Sequence, residues 1–149
     1  MWRKMRKAWK RSWKNYFMHK KFITTGALLG AIAVALGAFG AHGLKKIVPA
    51  ETVQTFQTGV QYQMYHALAL LLTGLLYEKC SQKFARIAGL LFIIGIILFS
   101  GSLYLLTVGK AAETNFLEKA GIITPFGGVA FIAGWLFLFL ATMKKSERS

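Results

Sequence analysis

The chain is poor in acidic residues, with five Asp and Glu among 149 residues, against 19 Lys and Arg. Four stretches hold no charged side chain at all, and they cover about residues 22–44, 59–77, 87–109 and 120–143. A histidine in these stretches therefore has no carboxylate partner for a pump-like proton relay. Histidines without Asp, Glu or Cys at the same depth also make a poor metal site. We accordingly expect no metal and no cofactor.

Cysteine is scarcer still, since Cys80 is the only one in the chain. A single thiol excludes an intrachain disulfide and a cysteine-based metal cluster. The sequence also lacks a phosphate-binding loop, a dinucleotide motif and a nucleophile–base arrangement. We therefore expect a protein without enzymatic activity.

Apolar sequence is what the chain has in abundance. Hydrophobic residues make up 55% of it and charged residues 16%, which is too apolar for an ordinary soluble domain. A bilayer core about 30 Å thick needs roughly 20 apolar residues per helix, and each uncharged stretch is about that long. The stretches also lack the alternation of barrel strands. The sequence predicts an all-α fold, a four-transmembrane-helix bundle with an N-terminal cationic amphipathic helix.

The predicted domain order follows from these stretches. A basic arm (1–21) precedes a four-helix membrane domain (22–143) and a basic cytoplasmic tail (144–149), with spans at about 22–44, 52–78, 85–109 and 119–143. With a cytoplasmic N-terminus, 15 of the 19 basic residues lie inside, as the positive-inside rule requires. We expect a multi-pass protein of the plasma (inner) membrane with both termini cytoplasmic. Charges that flank spans also argue against a nucleic-acid partner.

The arm combines many basic residues with regularly spaced aromatic ones. On a helix, one face carries Trp2, Trp9, Trp13 and Tyr16, and basic residues cover the rest. This pattern predicts a cationic helix that lies on the membrane surface. The alternative is a disordered basic tail that only fixes topology. Met18 is a further possible start, which would leave residues 1–17 outside the native chain.

Small residues recur within the spans, and they let helix backbones approach closely in lipid. The predicted packing positions are Gly26, Gly30, Gly37, Gly40, Gly95, Gly127 and Gly128. We expect tight static packing there, with a conformational hinge in the first span as the alternative.

Polar residues fall in the outer half of the predicted bundle. The candidate cluster consists of His42, Gln61, Gln63, His66, Ser102, Tyr104 and Thr124. Neutral polar side chains can form hydrogen bonds between membrane helices, and we expect that role here. A pocket for a small molecule or lipid, a proton path and a metal site are the alternatives.

Four ordered motifs give the chain a resemblance. They are GAFGAHGL (37–44), YHALAL (65–70), FSGSLY (99–104) and ITPFGG (123–128), the last followed by Gly134-Trp135. The chain resembles the small membrane proteins of domain of unknown function 423, also called uncharacterised protein family 0382, which include transmembrane protein 256-like proteins. The resemblance covers about residues 22–143 and implies a four-helix plasma-membrane protein. It supplies no established activity, cofactor or catalytic residue.

Two functions remain open at this point. The first is a non-enzymatic protein whose partners are the lipid bilayer and, through helix packing, a second copy or a larger membrane complex. The second is a transporter or channel for a small solute or lipid that uses the polar cluster. A membrane enzyme is the weakest reading, because no residue set is suited to acid–base or nucleophilic chemistry.

Overall fold

A computed structural model describes residues 2–144, and within them all side chains except those of residues 3–5, 7–17 and 115–118. Its α-helices are α1 (Trp2–His42), α2 (Ala50–Leu76), α3 (Gln82–Gly95), α4 (Gly101–Ala111) and α5 (Thr124–Met143). A π-helical segment, Ile96–Ser100, joins α3 and α4 into one continuous helix. Short 3₁₀ helices, Leu44–Lys46 and Asn115–Ile122, lie in the connections before α2 and α5.

Three helical stretches of the described chain are long and apolar enough to cross a membrane, and not the four that the sequence predicted. They are Met18–Lys46, Gln82–Ala111 and Lys119–Met143. The exception is α2, which has sufficient length at 27 residues. Its polar side chains, among them Gln61, Gln63 and His66, lower its mean hydropathy. The length of the uncharged stretches therefore predicted four spans, whereas mean hydropathy identifies three.

The α2 helix runs antiparallel to α1 and stays beside it over most of its length. Near the start of α2, the Gln57 amide nitrogen donates a hydrogen bond to the Gly37 carbonyl oxygen, at 3.3 Å. Near its end, the His19 ring nitrogen Nδ1 lies 2.7 Å from the Gly74 carbonyl oxygen. Since a carbonyl oxygen only accepts, Nδ1 is the donor. These two bonds place α2 at the same depth as the apolar part of α1.

The other close pair is α5 with the continuous helix formed by α3, the π segment and α4. The backbone of Gly127 contacts the backbone of Phe99, because glycine has no side chain at this crossing. One and two turns further along α5, Phe131 packs against Gly95, and Gly134 leaves room for the Phe92 ring. Packing of aromatic rings against glycines thus stabilises the contact between α5 and this continuous helix.

Apolar side chains form two buried clusters at different depths. The larger one joins α1, α2, α3, the π segment and α5 through Phe22, Ala69, Leu70, Tyr77, Cys80, Ala85, Ala88, Phe92, Ile96, Phe131, Leu138 and Ala141. The smaller one lies where α1 meets the start of α2, and it contains Ala33, Leu44, Val48, Val53, Phe56 and Val60. Of the predicted polar residues, His66 stacks on Phe131 of the larger cluster, and Tyr104 packs against the smaller one.

The predicted N-terminal arm continues into the first span without a break, since α1 begins at Trp2 and ends at His42. Trp2 is exposed. The side chains of Trp9, Trp13 and Tyr16, which would define an amphipathic face, lie outside the described residues. The amphipathic character of the arm therefore stays a prediction.

Candidate functional site

Gln63 connects three helices through the two ends of its amide. It is 3% exposed, and its nitrogen Nε2 donates to the Leu29 carbonyl oxygen of α1 at 2.8 Å. Its oxygen Oε1 accepts a hydrogen bond from the Tyr104 hydroxyl of α4 at 2.9 Å. Burial of an amide is costly unless its donors and acceptors are paired. Gln63 therefore links α1, α2 and α4 by directional bonds.

His66 is enclosed by aromatic rings. Its ring stacks on Phe131, with centroids 3.4 Å apart and planes 7° from parallel. Nδ1 lies 2.7 Å from the Tyr62 carbonyl oxygen and therefore carries the hydrogen. Nε2 then accepts a bond from the Trp135 indole nitrogen at 3.3 Å. Both nitrogens are occupied when the ring is neutral, so His66 ties α2 to α5.

Ser102 and Thr124 form the third link, between α4 and the start of α5. Their hydroxyl oxygens are 2.7 Å apart. The Ser102 hydroxyl also lies 2.8 Å from the Phe99 carbonyl oxygen, to which it donates. It must then accept the Thr124 hydrogen, because a hydroxyl has one hydrogen to donate. The two residues pair at the point where the π segment meets α5.

His42 and Gln61 lie apart from the other five predicted residues. Both side chains are exposed, and the His42 nitrogen Nδ1 bonds to the carbonyl oxygen of Ala38, one turn back on its own helix, at 3.1 Å. The predicted cluster thus divides into three separate links between helices and two outward-facing residues. It does not converge on one centre.

Trp135 and Ser100 were named only with the family motifs, and the predicted polar cluster includes neither of them, nor Phe131. Phe131 and Trp135 are four residues apart and so share a face of α5, a spacing that could have revealed the His66 enclosure. Ser100 is fully buried, and its hydroxyl is without a hydrogen-bond partner in the described part of the chain. It is the last residue of the π segment, and no sequence pattern marks that irregularity.

Two surface grooves lie away from the three links. One of about 310 Å³ lies between the start of α2 and the end of α4, and another of about 380 Å³ is lined by Lys45 and Val53, among others. Neither is lined by Gln63, His66 or Ser102. Among residues 2–144, with the side-chain gaps noted above, no three His, Cys, Asp or Glu residues group as metal ligands. The geometry offers hydrogen bonds between helices and no assembled reactive centre among these residues.

The predicted packing glycines differ in how closely they are approached. A Cβ atom would come within 3.0 Å of a neighbouring atom at Gly26, Gly40, Gly95 and Gly127. The nearest neighbours are 3.4–4.0 Å away at Gly30, Gly37 and Gly128. Approaches within 3.0 Å also occur at four glycines outside the predicted packing positions, Gly59, Gly74, Gly89 and Gly134. Spacing along one helix does not say which glycine meets a neighbouring backbone.

These observations define a small all-α protein with three helices suited to cross a membrane and polar links between them. The chain belongs to the family described as protein of unknown function (DUF423), which matches residues 36–128. The resemblance drawn from the four motifs is therefore confirmed.

The chain matches several named relatives over nearly their whole length. The chain is 47% identical to UPF0382 membrane protein YwdK of Bacillus subtilis, over 84% of this chain and 98% of that protein. It is 44% identical to UPF0382 membrane protein SAB0533 of Staphylococcus aureus, over 84% and 97%, and 41% identical to a UPF0382 membrane protein of Haemophilus influenzae, over 87% and 99%. No solved structure matches the chain. The names of the relatives and the apolar helices both indicate a membrane protein.

Proposed function

We propose that α2 is a fourth membrane span, which completes a four-helix bundle. Its contacts with α1, from Gln57 to Gly74, support this proposal, because a helix that lies along a span shares its depth. At 1.5 Å per residue, its 27 residues reach about 40 Å, which exceeds the bilayer core of about 30 Å.

The orientation of side chains on α2 supports the same proposal. Its polar residues Gln63 and His66 are buried and bonded to neighbouring helices. Its exposed residues further along, Leu68, Leu72 and Leu75, are apolar and suited to lipid. Mean hydropathy counts the polar residues as if lipid had to solvate them, so it understates how well this helix fits a membrane.

Four spans place both termini on the same side, and the distribution of basic residues favours the cytoplasm for that side. The location would be the plasma (inner) membrane, with the arm as a cationic amphipathic helix on its inner surface. Topology reporters fused after Ile47 and after Ser149 test this. We expect an external signal at the first site and an internal one at the second. External signals at both sites would mean that α2 does not cross the membrane. An internal signal after Ile47 with an external one after Ser149 would mean that the bundle is inverted.

For the biochemical role, we propose a non-enzymatic, helix-packing or accessory component of the membrane. The observation that carries this proposal is that Gln63, His66 and Ser102 are each closed by partners within the chain. A polar group that is already paired is poorly placed to bind a passing solute. The groups that remain open to a partner are then on the outer surface of the bundle, where a second copy or a larger membrane complex can pack.

Gentle purification of the tagged chain from native membranes tests this role. We expect a second membrane protein, or a second copy, at a stoichiometric ratio by native mass spectrometry. A monomer that reproducibly carries neither would remove the support for an accessory role.

A transporter or channel for a small solute or lipid is the second candidate. The observation in its favour is the buried Ser100 hydroxyl, because an unpaired polar group at depth is costly. A retained small molecule in the same purification, lost in the Ser100→Ala variant while the fold persists, would favour this candidate. Retention of that molecule by the variant would count against Ser100 as its site.

A further inference from the structure

Basic side chains from three parts of the chain surround one end of the bundle. The exposed members of this basic collar are Lys20, Lys21, Lys79, Lys83, Arg86 and Lys144. They come from α1, from the turn between α2 and α3 with the start of α3, and from the residue that follows α5. The collar is therefore assembled by the fold and is not a single run in the sequence.

Contacts beneath the collar fix these parts at one level. The rings of Phe22 and Tyr77 meet edge to face, with centroids 6.0 Å apart, and so join α1 to the end of α2. The Ser81 backbone nitrogen donates to the Ala141 carbonyl oxygen at 3.1 Å, which joins the following turn to the end of α5. The basic groups thus surround a packed base.

The two ends of the bundle differ in charge. Within the described part of the chain, one acidic residue, Glu78, adjoins the collar in sequence, next to Lys79, against six exposed basic residues. The opposite end carries Lys45, Lys46, Lys110 and Lys119, and it also carries Glu51 and Glu113. An anionic surface would therefore be attracted to the collar end much more strongly than to the other.

One face of α1 adds a place for a lipid molecule. Lys20, Lys21, Thr24 and Thr25 line a notch of about 260 Å³. Leu28 follows one turn below, on the face that Lys20 and Thr24 share, and it is 60% exposed. Basic and hydroxyl groups therefore lie above an apolar strip on the outside of the helix, which matches a lipid headgroup above its acyl chain.

We propose that the basic collar, and the Lys20–Lys21 notch in particular, binds anionic phospholipid of the leaflet it faces. Charge complementarity favours a headgroup with a net negative charge over a zwitterionic headgroup, whose own cation offsets the charge of its phosphate. The exposed strip below selects a lipid over a free anion, because a free anion gains nothing from Leu28. This inference does not depend on the proposed role of the protein or on the topology of α2.

The test uses the full chain, purified in mild detergent, stripped of lipid and titrated with phosphatidylglycerol or phosphatidylcholine of the same acyl chains. Native mass spectrometry counts the bound lipids. The variant is Lys20→Ala/Lys21→Ala, and the matched control is Lys45→Ala/Lys46→Ala, another exposed pair of adjacent lysines, at the opposite end. We expect preference for phosphatidylglycerol, and a loss on the order of 30-fold in the variant, since each lysine near anionic lipid contributes about 1 kcal/mol. The control should match the wild type.

Three results would overturn the proposal. One is equal binding of the two lipids by the wild type, and another is an equal loss in the variant and the control. The third is displacement of phosphatidylglycerol by inorganic phosphate, which would mean a simple anion site. A Lys20→Arg/Lys21→Arg variant, which keeps the charge, should bind like the wild type; if it loses binding as the alanine variant does, the loss is not electrostatic. Thermal unfolding of every variant checks that the fold is intact.

Discussion

The sharpest structural prediction concerns the neighbouring glycines Gly127 and Gly128 on α5. A Cβ atom at Gly127 would lie 2.7 Å from the Phe99 Cα atom, and closer still to its backbone nitrogen. A Cβ atom at Gly128 would lie 4.0 Å from the nearest atom, in the Phe99 ring. The two positions share a helix, a depth and a residue type. They differ only in whether a neighbouring backbone is in the way.

Replacement by alanine should therefore affect stability differently at the two positions. Alanine favours a helix over glycine by about 1 kcal/mol, and this gain applies equally at both positions. At Gly127, overpacking against a backbone that cannot rotate away costs typically 1–3 kcal/mol and occasionally more. We expect Gly127→Ala to lower the free energy of unfolding and Gly128→Ala to leave it unchanged or raise it.

Equilibrium unfolding in mixed micelles, with SDS as denaturant and far-ultraviolet circular dichroism as readout, measures the difference. Gly134→Ala supplies an intermediate case, because its Cβ atom would meet the Phe92 ring at 2.7 Å and a ring can shift. The expected order of stability is Gly128→Ala, then Gly134→Ala, then Gly127→Ala. If the first and last agreed within about 0.5 kcal/mol, the close crossing of α5 and the π segment would be refuted.

Three further predictions concern other contacts. Tyr104→Phe, which removes the bond to Gln63, should lower the free energy of unfolding by about 0.6–1.7 kcal/mol, with an unchanged helix content; no change in the same micelle assay would contradict that bond. Gly26→Ala should destabilise the chain more than Gly30→Ala, because a Cβ atom at Gly26 would lie 2.9 Å from a carbonyl oxygen while the nearest atom to Gly30 is 4.0 Å away; equal melting temperatures would contradict this. Burial raises the pKa of the Cys80 thiol. Its alkylation by iodoacetamide should therefore be slow at neutral pH, and the alkylation rate should increase only at a higher pH than for a free thiol. Labelling at the rate of the SDS-unfolded chain would contradict that burial.

Most of the helical architecture could be predicted from the sequence. Uncharged stretches of span length marked the helices because lipid cannot solvate charges or an unpaired backbone. Three of these stretches meet the criteria of length and composition. The second did not, because polar side chains, Gln63 and His66 among them, lower its mean hydropathy. Both are buried against neighbouring helices, and composition alone does not reveal which side a polar residue faces.

The candidate site could be predicted only in part. Residue types suggested a cluster, and the sequence placed its members in the same half of the bundle. Whether they meet depends on helix rotation and register. With the observed rotation and register of α2, Gln63 bonds to Leu29 and Tyr104, while Gln61, two residues earlier, is exposed.

The sequence by itself determined that this chain is a helical, apolar, basic protein of the DUF423 family, because length, charge spacing and motifs are properties of the chain alone. The tertiary structure decided which polar groups pair, which glycines are in close contact, and that basic residues far apart in sequence form one collar. Hydrogen bonds and packing act over a few ångströms. They therefore depend on how the helices lie against each other, and the sequence does not give the distances between residues on different helices.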